Sequence, residues 1–138
     1  MTRILLLAAA VLLFRAVPAH AQPGDRWVRA GGSDNFSTYV DVTRITTGAD
    51  GIVSAWTRRE YNQIQRREWA TYDVQINRME FDCRRSLTRL RYAAYELAGE
   101  IVETTTWAPG ESEWGEVIPE SVGEAVLTFI CEFVNGRR

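Results

Sequence analysis

The side chains of this chain that are able to do chemistry are two cysteines, 16 arginines and 18 carboxylates. There is no lysine, and the one histidine, His20, lies in an N-terminal stretch patterned like a secretion signal. Once that stretch is set aside, no imidazole base and no lysine amine are left. Ser-His-Asp, Cys-His and Ser-Lys schemes therefore all lack a base. Zinc sites of the Cys/His type lack their ligands for the same reason, and neither standard glycine-rich phosphate loop occurs. Only a carboxylate pair is left for catalysis, as in glycoside hydrolysis. Glu111, Glu113, Glu116, Glu120 and Glu124 form the obvious group. They also read as a solvated acidic loop running into a helix N-terminus, where negative charge is favoured. No Asp-rich calcium ladder with its glycine is present. The chain is expected to be no enzyme and to need no cofactor or metal.

The arginines offer binding instead. Arg58, Arg59, Arg66, Arg67, Arg84 and Arg85, with Arg89 and Arg91, are candidates for one basic face that meets a polyanionic glycan or an acidic protein. The plainer reading is a set of solvating charges on a sheet's outer face. The balance is uneven along the chain: residues 44–91 carry 10 arginines against 6 acids, and residues 92–138 carry 2 against 9. The acidic total and the expected export disfavour a nucleic-acid partner. The five tryptophans, Trp27, Trp56, Trp69, Trp107 and Trp114, are expected to lie mostly in the core, because a small domain buries its largest side chains first.

The N-terminus sets the compartment. Arg3 precedes an apolar run over residues 4–14, and Ala19-His20-Ala21 supplies small residues at −3 and −1 of a cleavage site after Ala21. The run is shorter than the roughly 20 residues that span a bilayer, and nothing later is apolar enough, so no membrane span is expected after cleavage. Residues 1–21 are thus read as a signal peptide and residues 22–138 as one domain, periplasmic, secreted or at the cell surface. No cysteine adjoins the cleavage site to carry a lipid anchor. In that oxidising setting Cys83 and Cys131 have one intramolecular pairing open to them, with two buried free thiols as the alternative.

Turn and periodicity signals then lay out the elements. Strands are expected over residues 27–30, 37–42, 52–61, 69–83 and 101–107, with a loop over 62–67. The longest strand changes the parity of its apolar residues, which predicts a bulge at Asn77-Arg78. Residues 84–98 fit both periods. Leu87, Leu90, Ala94 and Leu97 fall at helical spacing, slightly favouring a helix capped by Gly99, while Leu90, Tyr92 and Ala94 alternate as in a strand. The last element is the clearest. Ser121 and Glu124 form a capping box ahead of a helix whose larger part is apolar and which ends at Gly136.

The order of these residues is similar to that of a known family. Trp27-Val28, Tyr39-Val40-Asp41, Trp56 with Tyr61, and Glu80-Phe81-Asp82-Cys83 with an arginine-rich stretch come first. Gly99-Glu100 and Trp114-x-x-Val117-Ile118-Pro119-Glu120-Ser121-Val122-Gly123-Glu124-Ala125 follow, ahead of Cys131. Over residues 27–131 the chain resembles the bacterial surface-adhesin protein E family of small exported proteins. The resemblance implies an α+β fold: an antiparallel sheet of about six strands with one C-terminal helix on one face, tied to it through Cys83 and Cys131. It also turns residues 84–98 into a strand. The family takes its name from an adhesin of host extracellular-matrix proteins such as laminin and vitronectin. That adhesin's binding segments are lysine-rich and have no counterpart here, so the resemblance carries over the two cysteines and no binding residue. The function expected is a non-catalytic binding domain of the bacterial envelope, with a periplasmic inhibitor or accessory subunit of an envelope enzyme as the alternative.

Overall fold

The structure, a computed structural model, describes residues 26–136; the expected signal peptide and its cleavage after Ala21 lie outside the described residues. Alternating apolar and polar residues produce a meander of antiparallel strands: β1 Trp27–Gly32, β2 Phe36–Asp41, β3 Thr46–Thr47, β4 Val53–Arg66, β5 Thr71–Asp82, β6 Leu87–Leu97, β7 Glu100–Thr106 and β8 Gly115–Glu116. The sheet runs β1-β2-β4-β5-β6-β7, with β3 pairing to β4 and β8 to β6. Among the described residues one helix, α1 Val122–Asn135, follows. The strand count is therefore eight rather than about six. The two extra strands are two residues long and have no periodicity to detect.

Cross-strand register puts Val40, Thr57 and Asn77 in one row, and Val53 opposite Phe81 in another. Val40, Val53, Ala55 and Phe81 form the sheet's side of the core, and α1 supplies Val126, Leu127 and Ile130. The buried stripe of α1 is narrower than its apolar composition suggested, and Ala125 is exposed. Ser121 caps the helix by accepting from the Glu124 backbone N–H at 3.2 Å. The Glu124 carboxylate in turn accepts from the Glu120 backbone N–H. Gly31 permits the helix to sit close to β1. A Cβ there would stand 3.2 Å from Val122 Cγ1 and 3.3 Å from the Ala125 Cβ.

Cys83, just past β5, is bonded to Cys131 in α1, their Cα atoms 5.7 Å apart. The expected staple is present, and it joins the helix to the end of the central strand.

Residues 84–98 form a strand after a short turn, as the resemblance implies and against the slight helical preference of the local spacing. Other expectations change. Ala98 (φ 50°) and Gly99 (φ 84°) make a tight turn into β7, so Gly99 serves a hairpin and caps no helix. The register does slip beside Asn77-Arg78, but the extra residue belongs to β6. Arg78 faces Tyr92 and Met79 faces Leu90, leaving Arg91 over. The expected loop at 62–67 is mostly strand, because β4 continues to Arg66. Finally, the tryptophans are not core: Trp27, Trp56, Trp107 and Trp114 are only half-buried, and Trp69 is 53% exposed. One 14-residue helix is about 21 Å long and packs chiefly over β1 and β2. The narrow space beneath it accepts Val, Ala, Ile and one Phe, while the indoles lie outside it.

Candidate functional site

The six candidate arginines do not share a face. Neighbours in a strand point to opposite sides, so Arg58 and Arg59 separate. Arg58 lies on the side away from the helix, donating to Glu60 at 2.8 Å and Glu96 at 3.1 Å. Burial pulls its pKa down, but the two carboxylates outweigh that and hold it above its ordinary value. Arg59 points to the helix side, stacked over Phe36 at 4.4 Å. Arg84 and Arg85 sit in the β5–β6 turn. Arg85 is bound to Asp82 at 2.7 Å, and Arg84 donates to the Asp50 carbonyl at 3.1 Å. Arg66 and Arg67 stand at the opposite end of β5, exposed, in the β4–β5 turn.

That β4–β5 end is the most distinctive surface of the molecule. β2 pairs with β4 only as far as Tyr61, and β6 pairs with β5 only from Val74. Residues 62–66 of β4 and 71–73 of β5 therefore run on by themselves; residues 61–64 bulge opposite Asp73, so the paired part of the ribbon extends about 10 Å, three residues at strand rise. Asn62 ties the base of this ribbon to the β1–β2 turn, its backbone N–H donating to the Asn35 carbonyl at 2.9 Å and its Nδ2 to the Asp34 carbonyl at 2.6 Å. The tip closes through the Arg67 N–H to the Ala70 carbonyl at 2.9 Å.

A chain of rings runs along this end. Phe36 meets Tyr61 at 5.7 Å, Tyr61 meets Tyr72 at 5.7 Å, and Tyr72 meets Tyr95 at 4.8 Å. Trp69 folds back from the tip, stacked on Tyr72 at 5.8 Å and edge-on to Tyr95 at 4.6 Å. Such pairs fix ring positions at little entropic cost. Burial first, then Tyr72, Tyr61 and Glu103, push the Tyr95 phenol above its ordinary pKa. Trp69 and Ile64 are about half exposed, and Arg66, Arg67 and Glu68, which lie between them in the chain, are exposed too. An open polar cleft of about 460 Å³ lies beside the ribbon, between Asp34-Asn35 and Gln63.

The family model for surface-adhesin protein E matches residues 27–132, which hold the sheet, the disulfide and the projecting ribbon. The chain belongs to the surface-adhesin protein E family. Neither the curated proteins nor the solved structures yield a match. For this adhesin E protein, family and formed disulfide together point to a location outside the cytoplasm. No helix among the described residues is long and apolar enough to cross a membrane.

The acidic stretch has local duties in this adhesin E chain. Glu111 accepts from the Ala108 N–H, and Glu124 from that of Glu120. Among the described residues no three His, Cys, Asp or Glu side chains come together in a way that would hold a metal ion. Of the residues on the projecting ribbon, the arginines were legible in the sequence and the aromatic chain was not. The available signal was an Ile and a Trp inside an otherwise polar, charged stretch.

Proposed function

We propose that this adhesin E chain is a non-catalytic binding module of the bacterial envelope whose contact surface is the β4–β5 ribbon. The observation that carries this reading is the pairing of exposed Trp69 and Ile64 with Arg66 and Arg67 on a ribbon that outruns the rest of the sheet. Trp and Arg are the residue types in which interface binding energy concentrates. Rings held by Tyr72 and Tyr95 lose little freedom on binding. The arginines favour an acidic partner surface and would speed encounter in a salt-dependent way. The partner class is an extracellular protein, for which matrix proteins such as laminin and vitronectin are the first candidates, in keeping with the family.

The test is binding of the purified domain to immobilised laminin, vitronectin and a sulfated glycan over a salt series. Trp69→Ala with Ile64→Ser should weaken protein binding by about thirtyfold or more, the loss of about 2 kcal/mol typical of a hot spot. Arg66→Ser with Arg67→Ser should mainly slow association and flatten its salt dependence. Unchanged binding in both variants would remove the ribbon as the site. Glycan binding that needs the arginines but ignores Trp69 would replace the protein partner with a polyanion.

A further inference from the structure

A separate cavity lies between the first turn of α1 and the sheet, away from the ribbon tip. Its volume of about 80 Å³ is room for about two or three waters, at about 30 Å³ each. One wall is polar. Thr38 and Arg59 are cross-strand neighbours there, as are Thr57 and Asn77. The rest of the lining is mainly apolar, formed by Met79 and Phe81 from the sheet and Val126 from the helix, with Thr88 beside Phe81.

Two features mark this cavity as more than a packing defect. Thr38 is 3% exposed, yet its buried hydroxyl finds no hydrogen-bond partner in the protein, and neither does the buried Nε–H of Arg59. Buried polar groups are ordinarily satisfied, and each exception calls for a reason. Arg59 also makes no ion pair among the described residues, whereas Arg58 and Arg91, equally drawn into the sheet, pair with Glu60, Glu96 and Glu80. Its guanidinium is held over the Phe36 ring at 4.4 Å, which orients the donor fork. Asn77 has its Oδ1 engaged by Gln75 Nε2 at 3.1 Å, so what it offers the cavity is chiefly its amide N–H donors. The Thr38–Arg59 side thus presents donors and a positive charge, and the Met79, Phe81 and Val126 side is mainly hydrocarbon.

We propose that this cavity binds a small aliphatic monocarboxylate, its carboxylate on Arg59 and Thr38 and its short carbon chain against Met79, Phe81 and Val126. A guanidinium suits a planar carboxylate. The volume excludes a long acyl chain, and the apolar wall disfavours a bare inorganic anion. Nothing in this inference depends on the ribbon being the adhesive surface.

The experiment is a titration of the domain, labelled at its methyl groups, with acetate, butyrate and octanoate at constant ionic strength, and with butanol and sulfate as controls. Butyrate is expected to shift the Met79 and Val126 methyl resonances saturably, with butanol and sulfate weaker by about tenfold or more, the cost of a lost charge-assisted hydrogen bond. Arg59→Gln should weaken butyrate by a similar factor, and Arg59→Lys, which keeps the charge, by less. No saturable methyl shift in the unmodified protein, or butanol binding as well as butyrate, would overturn the proposal whether or not any variant folds.

Discussion

The two ends of the β4–β5 pair are built on different physics. At one end Val53, Ala55 and Phe81 lie beneath α1, and the Cys83–Cys131 bond locks the helix to the strand. At the other end residues 62–72 have no helix above them and are ordered by ring contacts and a few backbone hydrogen bonds. The first end buries aliphatic carbon and stabilises the fold. The second leaves an indole and an isoleucine about half exposed to water, at the proposed contact surface. The covalent tie is confined to the first end.

The largest effect should come from cutting the tie. Cys83→Ser with Cys131→Ser removes a closure across 48 residues and should cost about 4 kcal/mol in the chain-entropy model. Urea denaturation with and without reductant measures it. Ribbon binding should persist under conditions where the variant remains folded. Next comes the core under the helix: Ile130, fully buried, changed to Ala should cost about 3 kcal/mol, again with binding retained once the protein is folded. If either change abolished binding by folded protein, the division between the ends would fail.

Acid sharpens the same contrast, because two buried carboxylates serve the clasped side. Burial raises the Asp41 pKa, but hydrogen bonds from Arg26 at 2.6 Å and from Thr43 outweigh it, so the net shift is downward. Asp82 is lowered first by its hydrogen bond with Arg85, helped by the backbone N–H groups of Arg84 and Arg85. Both folded values lie below the unfolded value of about 3.9, so the unfolded chain binds more protons in that window. The stability these groups contribute is complete above about pH 4 and is lost as pH falls through the folded values. Denaturation at pH 7, 5 and 3 should show little change over the first interval and a fall over the second. Asp82→Asn should be less stable at pH 7 and should show a shallower fall.

How much of this was legible in the sequence follows the same division. The clasped end was readable because its signals are local or exclusive. Ser121 and Glu124 announce the helix start, and two cysteines have one partner each. The cost of an edge is also visible: β7 is exposed along its whole length, and Glu100 and Glu103 discourage another strand from adding to it. The ribbon end was not readable. Gln63, Gln65, Arg66 and Arg67 look like loop because the β4 side of the ribbon is mostly exposed and the bulge between Glu60 and Gln65 breaks the alternation, while the buried ring, Tyr72, comes from β5. Leu87, Leu90 and Ala94 fit a helix until the Ala98-Gly99 turn and pairing with β5 decide for a strand. The tryptophans misled because core membership was inferred from size, while a one-helix layer leaves too little room for indoles. The arginines divided because strand alternation sends Arg58 and Arg59 apart and the length of β5 separates Arg66 from Arg84.

Amide hydrogen exchange of the unmodified domain, free and saturated with a matrix protein that it binds, tests the ribbon most directly. The expected result is slowed exchange over residues 62–72 and at the adjoining 34–36 turn, with the amides of α1 and of residues 53–57 unchanged. Slowing centred on α1 or on the β5–β6 turn at Arg84 and Arg85, with the ribbon unaffected, would contradict it.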